Sequence, residues 1–324
     1  MKSLKTPLRY PGGKSRAMKY LLPKFPKNIT EYREPFLGGG SAAIAFTKEN
    51  PDIPVWVNDL YNPLYTFWCI LRDEPQDLYE ALKGYKEDLG PVPDKKANKK
   101  ELEEIEEEEE VENKELQEYY DKGRDLFNQM KIALDHPEAE DFYRAVAFYI
   151  INKCSFSGLT ENSAFSPQAS ISNFSMNNIE KLPGYGEIIK DWKITNLNYW
   201  EMMMTSAPVG TFWFLDPPYD IKDNLYGKKG ELHKGFDHQM FHAYITQGNV
   251  KDNWMITYNT NPTLMEWYDG YNQTKWDLTY TMRSVGDYMN EQKDRAELLI
   301  TNYDETNSIR ISDFYQSNEE VGSY

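Results

Sequence analysis

The 324-residue chain is long enough for one large domain or a core with an inserted module, and its 15% aromatic content supports substantial burial. A formal charge of −16 opposes nucleic-acid affinity, but eleven glutamates and one lysine between Glu101 and Glu118 supply −10 of it and leave −6 for the remainder. Cys69 and Cys154 are too few for a disulfide framework or a cysteine zinc site. No signal-peptide zones and no run of about eighteen apolar residues are visible, so a cytoplasmic protein away from membranes is expected.

In chain order, "LRYPGGKSR" (residues 8–16) ends in Gly-Lys-Ser, yet the glycine that a Walker loop needs five positions before Gly13 is Leu8. A phosphate cradle is excluded on that ground. "EYREPFLGGGSAAIAF" reads as a short strand through Phe36, a glycine turn and a helix opened near Ser41. "IPVWVNDLYNP" is an apolar strand ending on Asn58 and Asp59. From about Leu64 to Leu182 the pattern turns helical; this part carries the glutamate run and the apolar "FYRAVAFYIIN" from Phe142 to Asn152, and it reads as an inserted module. Strand signals return in "WKITNLNYW", "GTFWFLDPPYD", "NWMITYNT", "WDLTYTM", "AELLITNY" and "SIRISDFY". The expectation is an α/β core made of residues 1–64 and 183–324 around a helical insert at 65–182, with the acidic segment at 101–118. His136, His233, His238 and His242 show no ligand spacing; no metal is expected, and each histidine is expected at the surface.

Three constellations carry chemistry. Gly38, Gly39 and Gly40 sit between a strand and a helix, where backbone can pass close to a ligand, and Asp59 follows about twenty residues later, the place where doubly wound sheets hold an acid against ribose hydroxyls. Together they suggest a cofactor bearing a nucleoside. In "FWFLDPPYD" an apolar strand delivers Asp216 to the carboxyl edge of the sheet and stops on Pro217 and Pro218, with Tyr219 available for stacking. Two acceptors, the Asp216 carboxylate and the Pro217 carbonyl, can hold an exocyclic amine, weaken its conjugation with the ring and aim its lone pair at a methyl sulfonium.

These motifs resemble those of the Dam-like (class alpha) DNA adenine-N6 methyltransferases: Asp216-Pro217-Pro218-Tyr219, the glycine segment from Glu34 to Ser41, "RYPGGK" at the N-terminus, "NDLYNPL", "INKCSFSGLTENSAFS" and "DRAELLITNY". The resemblance implies a Rossmann-like S-adenosylmethionine-dependent methyltransferase sheet with an inserted, mostly helical target-recognition domain. It implies S-adenosylmethionine as methyl donor, held by Tyr10, Pro11, Lys14, Phe36, Gly38, Gly40, Ser41, Asp59 and Asp216, and no metal. It further implies a bacterial or phage enzyme, a monomer or weak dimer, acting on a flipped-out adenine at a short target in duplex DNA. Phosphate contacts are expected from Lys153, Lys222, Lys228, Lys229, Lys234 and Arg283. The chain departs from the family at Asn198, where an acidic residue is common, and in "GLTENSAFSPQAS", which has no Lys or Arg. Cytosine-C5 chemistry is excluded because neither cysteine follows a proline. A methyltransferase acting on RNA or another amine, and a non-catalytic S-adenosylmethionine- or DNA-binding regulator, are the alternatives.

Overall fold

The computed structural model describes residues 6–10, 12–93, 105–156, 163–219, 235–276 and 297–304, leaving aside the side chains of 105–113, 249 and 276. Its strands are β1 (Glu31–Glu34), β2 (Val55–Asn58), β3 (Lys193–Thr195), β4 (Thr211–Leu215), β5 (Asn253–Asn259), β6 (Asn272–Trp276) and β7 (Glu297–Thr301). The helices before the recurring strands are α1 (Met18–Leu21), α2 (Ser41–Glu49), α3 (Asn62–Asp73), α4 (Pro75–Asp88), α5 (Ile105–Asp135), α6 (Asp141–Cys154), α7 (Pro167–Ser172), α8 (Met176–Ile179) and α9 (Leu182–Ile189). Three more follow, α10 (Tyr199–Met204), α11 (His238–Tyr244) and α12 (Pro262–Trp267).

The seven strands form one sheet in the order β3-β2-β1-β4-β5-β7-β6. Neighbours from β3 to β5 run parallel, and β7 enters antiparallel between β5 and β6. Strand order therefore reverses at β1, between β2 and β4, which is the switch point where open α/β sheets bind ligands. β4, Thr-Phe-Trp-Phe-Leu, is buried along its whole length and so reads as a continuous apolar run. Its side chains alternate between two cores: Phe212 and Phe214 join the one beneath the N-terminal helices, while Trp213 and Leu215 join the one under α10 and α11. Arg33 of β1 is buried on the second face between the indoles of Trp56 and Trp213, 4.6 and 5.0 Å from their centroids, and donates to the carbonyls of Thr205 and Ser206.

The helical segment is not a separate globule. Phe148 and Ile151 of α6, Leu126 of α5 and Leu78 of α4 belong to the same buried cluster as Tyr32, Phe212 and Phe214 of the sheet. A boundary after residue 64 falls inside α3. Helix α6 is buried from Ala145 to Cys154, which accounts for its lack of a polar stripe. β1 ends at Glu34 and not at Phe36, since Pro35 has no amide hydrogen to continue the ladder, and β2 ends at Asn58. β6 covers Asn272–Trp276; of the strand expected in "WDLTYTM", residues 277–282 lie outside the described residues, as does all of "SIRISDFY".

Helix α9 approaches the α3–α4 junction closely through Gly186, where a Cβ would stand 2.4 Å from Pro75 Cβ and 2.8 Å from the Leu71 carbonyl oxygen. Overpacking of about 1–3 kcal/mol should outweigh the roughly 1 kcal/mol that alanine gains as a helix former. Gly186→Ala is therefore expected to lower the urea midpoint. An unchanged or raised midpoint would show that α9 can move aside freely.

Candidate active site

The glycine turn after β1 is shaped by its neighbours. Gly40 has φ +68°, and a Cβ there would meet the Trp68 ring at 2.7 Å, so the turn admits no side chain at this position. Trp68 in turn donates its indole N–H to the Gly38 carbonyl at 3.1 Å. Asp59, directly after β2, accepts the Gly38 amide at 2.8 Å and the Tyr61 amide at 2.9 Å, so one carboxylate ties the ends of two adjacent parallel strands. Burial nevertheless outweighs these bonds and pushes its carboxyl up to about 6. Tyr10 lies across Gly38 and Gly39, and the Ser15 and Ser41 hydroxyls are 2.9 Å apart, which seats the N-terminal segment on the turn.

The second half of the site follows β4. Lys14, 4% exposed, reaches both carboxylate oxygens of Asp216 at 2.8 Å and the Gly12 carbonyl at 3.0 Å. Thr257 of β5 donates to Asp216 Oδ1 at 2.7 Å. Tyr219 donates to Glu297 Oε2 of β7 at 2.8 Å and has the Lys14 ammonium 4.9 Å from its ring centre. Beside them Glu34, at the end of β1, accepts from the Tyr32 hydroxyl at 2.7 Å. Burial drives its carboxyl well above the ordinary range, with the neighbouring Asp216 charge adding to the effect.

Both halves border one cavity of about 280 Å³. Tyr10, Lys14, Phe36, Gly38, Gly40, Ser41, Asp59, Asp216 and Pro218 all line it. Pro217 is buried, and Tyr219 stands behind the Asp216 corner, against Glu297 and Tyr258. Pro11, Lys222, Lys228, Lys229, Lys234 and Arg283 lie outside the described residues. Lys153 requires a correction as a phosphate contact: it is 5% exposed near the end of α6, with its ammonium 5.1 Å from the Tyr149 ring centre, and burial pulls it down to about 7. His136 is exposed as expected, whereas His238 and His242 are half-buried, the first at 3.0 Å from the Tyr258 hydroxyl and the second edge-on to Tyr268; His233 lies outside the described residues.

Sequence reasoning missed Tyr199, Phe236, Asp237 and Met240 of the lining and Thr257 behind it, and it named Glu34 and Glu297 only within motifs, without a role. Glu34 had a signal, as the strand-end acid that opens the glycine segment. Asn198, noted only as a departure, lines the cavity and caps α10 in a capping box with Glu201, whose Oε2 accepts from the Asn198 backbone N–H at 2.7 Å. The rings of Phe36 and Tyr199 are 5.5 Å apart alongside it. Two rings at one wall, a carboxylate beyond a glycine turn and a second carboxylate at a strand end suit a nucleoside-bearing cofactor and a separate amine.

Residues 10–282 match the family of D12 class N6 adenine-specific DNA methyltransferases. The chain is similar to "Type II methyltransferase M.MjaIII" of Methanocaldococcus jannaschii, at 23% identity over 312 residues, covering 91% of this chain and 98% of that protein. It is also similar to "Type II methyltransferase M1.LlaDCHI" of Lactococcus lactis subsp. cremoris, at 21% identity over 310 residues, covering 91% and 94%.

The Tyr219–Glu297 bond carries an expectation of its own. Glu297 is 4% exposed, so Tyr219→Phe strips a buried carboxyl of its donor while leaving the ring in place. The loss should be about 1–3 kcal/mol of stability, read from denaturant unfolding at neutral pH. Stability equal to that of the unaltered protein would mean the bond contributes nothing net.

Proposed function

The chain belongs to the D12 class of N6-adenine-specific DNA methyltransferases, enzymes that move a methyl group from S-adenosylmethionine to the N6 amine of adenine in DNA, and we propose how its own side chains carry that reaction. The observation that carries the reading is the meeting of Asp216 and the glycine turn in one cavity at the β1–β4 seam. Family membership selects this activity over RNA methylation and over a binder that does not catalyse.

The lining fits the cofactor. The Phe36 and Tyr199 rings would pack against its adenine, Asp59 would accept from ribose hydroxyls, and the turn from Gly38 to Ser41 with Tyr10 would enclose the methionine end. When bound, S-adenosylmethionine supplies an electrophilic methyl group on sulfonium sulfur. The protein's part is then to present a nitrogen nucleophile. Paired with an ammonium and a hydroxyl, the Asp216 carboxylate is an acceptor only, and with the Pro217 carbonyl it would hold the two N–H bonds of the target amine. Bringing adenine there from duplex DNA costs roughly a few kcal/mol of unstacking, offset by stacking near Tyr219. Methyl transfer needs orientation more than acid or base strength, which fits a rigid strand end closed by two prolines.

The helical segment at 65–182 is the proposed target-recognition module at a short site, and the basic residues after the catalytic motif, Lys222, Lys228, Lys229 and Lys234, with Arg283, are the proposed phosphate contacts. The proposed working form is a monomer or weak dimer in a bacterial or phage-infected cytoplasm, where duplex DNA is at hand. Among the described residues no helix is long and apolar enough to cross a membrane.

Nucleoside mass spectrometry of unmethylated DNA incubated with enzyme and S-adenosylmethionine should show N6-methyladenine, and Asp216→Ala should lower its rate of formation by at least about 100-fold. Full activity in that variant would overturn the role given to Asp216. Asp59 supplies a second check. Its folded carboxyl titrates near 6 against an ordinary 3.8, so its contribution to stability is full below about pH 4 and lost as pH rises through 6. Hydroxyl donors favour the charged form, so cofactor binding should release protons at pH 5.5 and weaken as pH falls through 6. Calorimetry in buffers of different ionisation enthalpy reads that release, which Asp59→Asn should remove.

A further inference from the structure

We propose that Thr257 is a positioning residue that makes the Asp216 carboxylate asymmetric, leaving Oδ2 as the oxygen that receives the target amine. The inference rests on the reading of Asp216 as the group that holds that amine. An ionised carboxylate offers about four acceptor positions. In the described structure Lys14 takes one on each oxygen at 2.8 Å, and Thr257 takes a second on Oδ1 at 2.7 Å. Lys14 alone does not distinguish the two oxygens; Thr257 does. Oδ1 is then filled, and the open position lies on Oδ2.

The fold explains why this hydroxyl can act as a fixed reference. In the β4–β5 register Leu215 stands opposite Ile256, so Thr257 is level with Asp216 as the chain leaves β4. Thr257 is fully buried between Ile256 and Tyr258, and its β-branched side chain has few rotamers open to it on a strand. A buried hydroxyl is costly without a partner, and Asp216 is the partner it has. Valine would fill the same volume with equal strand propensity, so what the position gains from threonine is the donor.

The test compares Thr257→Val and Thr257→Ala, which remove the hydroxyl, with Thr257→Ser, which keeps it, and runs Asp216→Asn alongside. With each protein, steady-state methylation of duplex DNA gives kcat and KM for S-adenosylmethionine, and fluorescence anisotropy gives DNA affinity. The expected result is a fall in kcat of about 10-fold or more in the valine and alanine variants. KM and DNA affinity should stay within about twofold, and kcat should stay within about threefold in the serine variant. A valine or alanine variant with native kcat overturns the proposal. So does a serine variant as slow as the valine one, or a loss that falls on KM, because either would mark a purely structural role. If one hydroxyl-free variant fails to fold, the other still decides. Activity retained by Asp216→Asn would be a different failure, that of the reading beneath the proposal.

Discussion

Parallel pairing of β1 with β4 is the constraint on which the site depends. With Tyr32 opposite Phe212 and Arg33 opposite Trp213, the two strands end side by side, so the glycine turn that follows one and the acidic corner that follows the other share an edge. Residues far apart in sequence then become neighbours: Lys14 and Asp216 are separated by 202 positions and bonded at 2.8 Å. Arg33 reinforces the seam from the opposite face, stacked between one indole from each flanking strand. Anything that slid β1 against β4 would part the cofactor half of the cavity from the catalytic half.

What could be read from the sequence was what is local. Strand, turn and helix around Gly38–Gly40, the acid at Asp59 and the stop at Asp216-Pro217-Pro218 each declare themselves within a few residues, because glycine, proline and apolar runs restrict the backbone on the spot. Lys14 was legible as a lining residue but not as the partner of Asp216, since no local pattern encodes a contact made by the closing of the sheet. Thr257 was hidden for the same reason: it sits in an apolar strand where its spacing looks like ordinary core. Lys153 misled because charge suggests a surface, whereas α6 is buried on every side around it. β6 escaped because Asn-Gln-Thr-Lys is polar, and among the described residues it pairs with β7 alone.

Charge in the cavity is arranged for a cationic guest. Glu34, Asp59 and Asp216 all face it, and among the described lining residues Lys14 is the one Lys or Arg. Burial holds the Glu34 and Asp59 carboxyls above their ordinary ranges, so part of the negative charge is suppressed until a positive group or a hydroxyl donor arrives. A sulfonium ion supplies the first and a ribose the second. Once the methyl group has left, the remaining thioether is neutral, so that positive charge is gone.

The single core shared by sheet and helical segment has a mechanical consequence. Phe67 of α3 is stacked on Tyr149 of α6 at 5.8 Å and touches Phe148, and these rings are continuous with the side chains under β4. Swinging the segment away as a jaw would expose such groups at about 1.5–3 kcal/mol each. Among the described residues, sheet and helical segment thus resist deformation as one body.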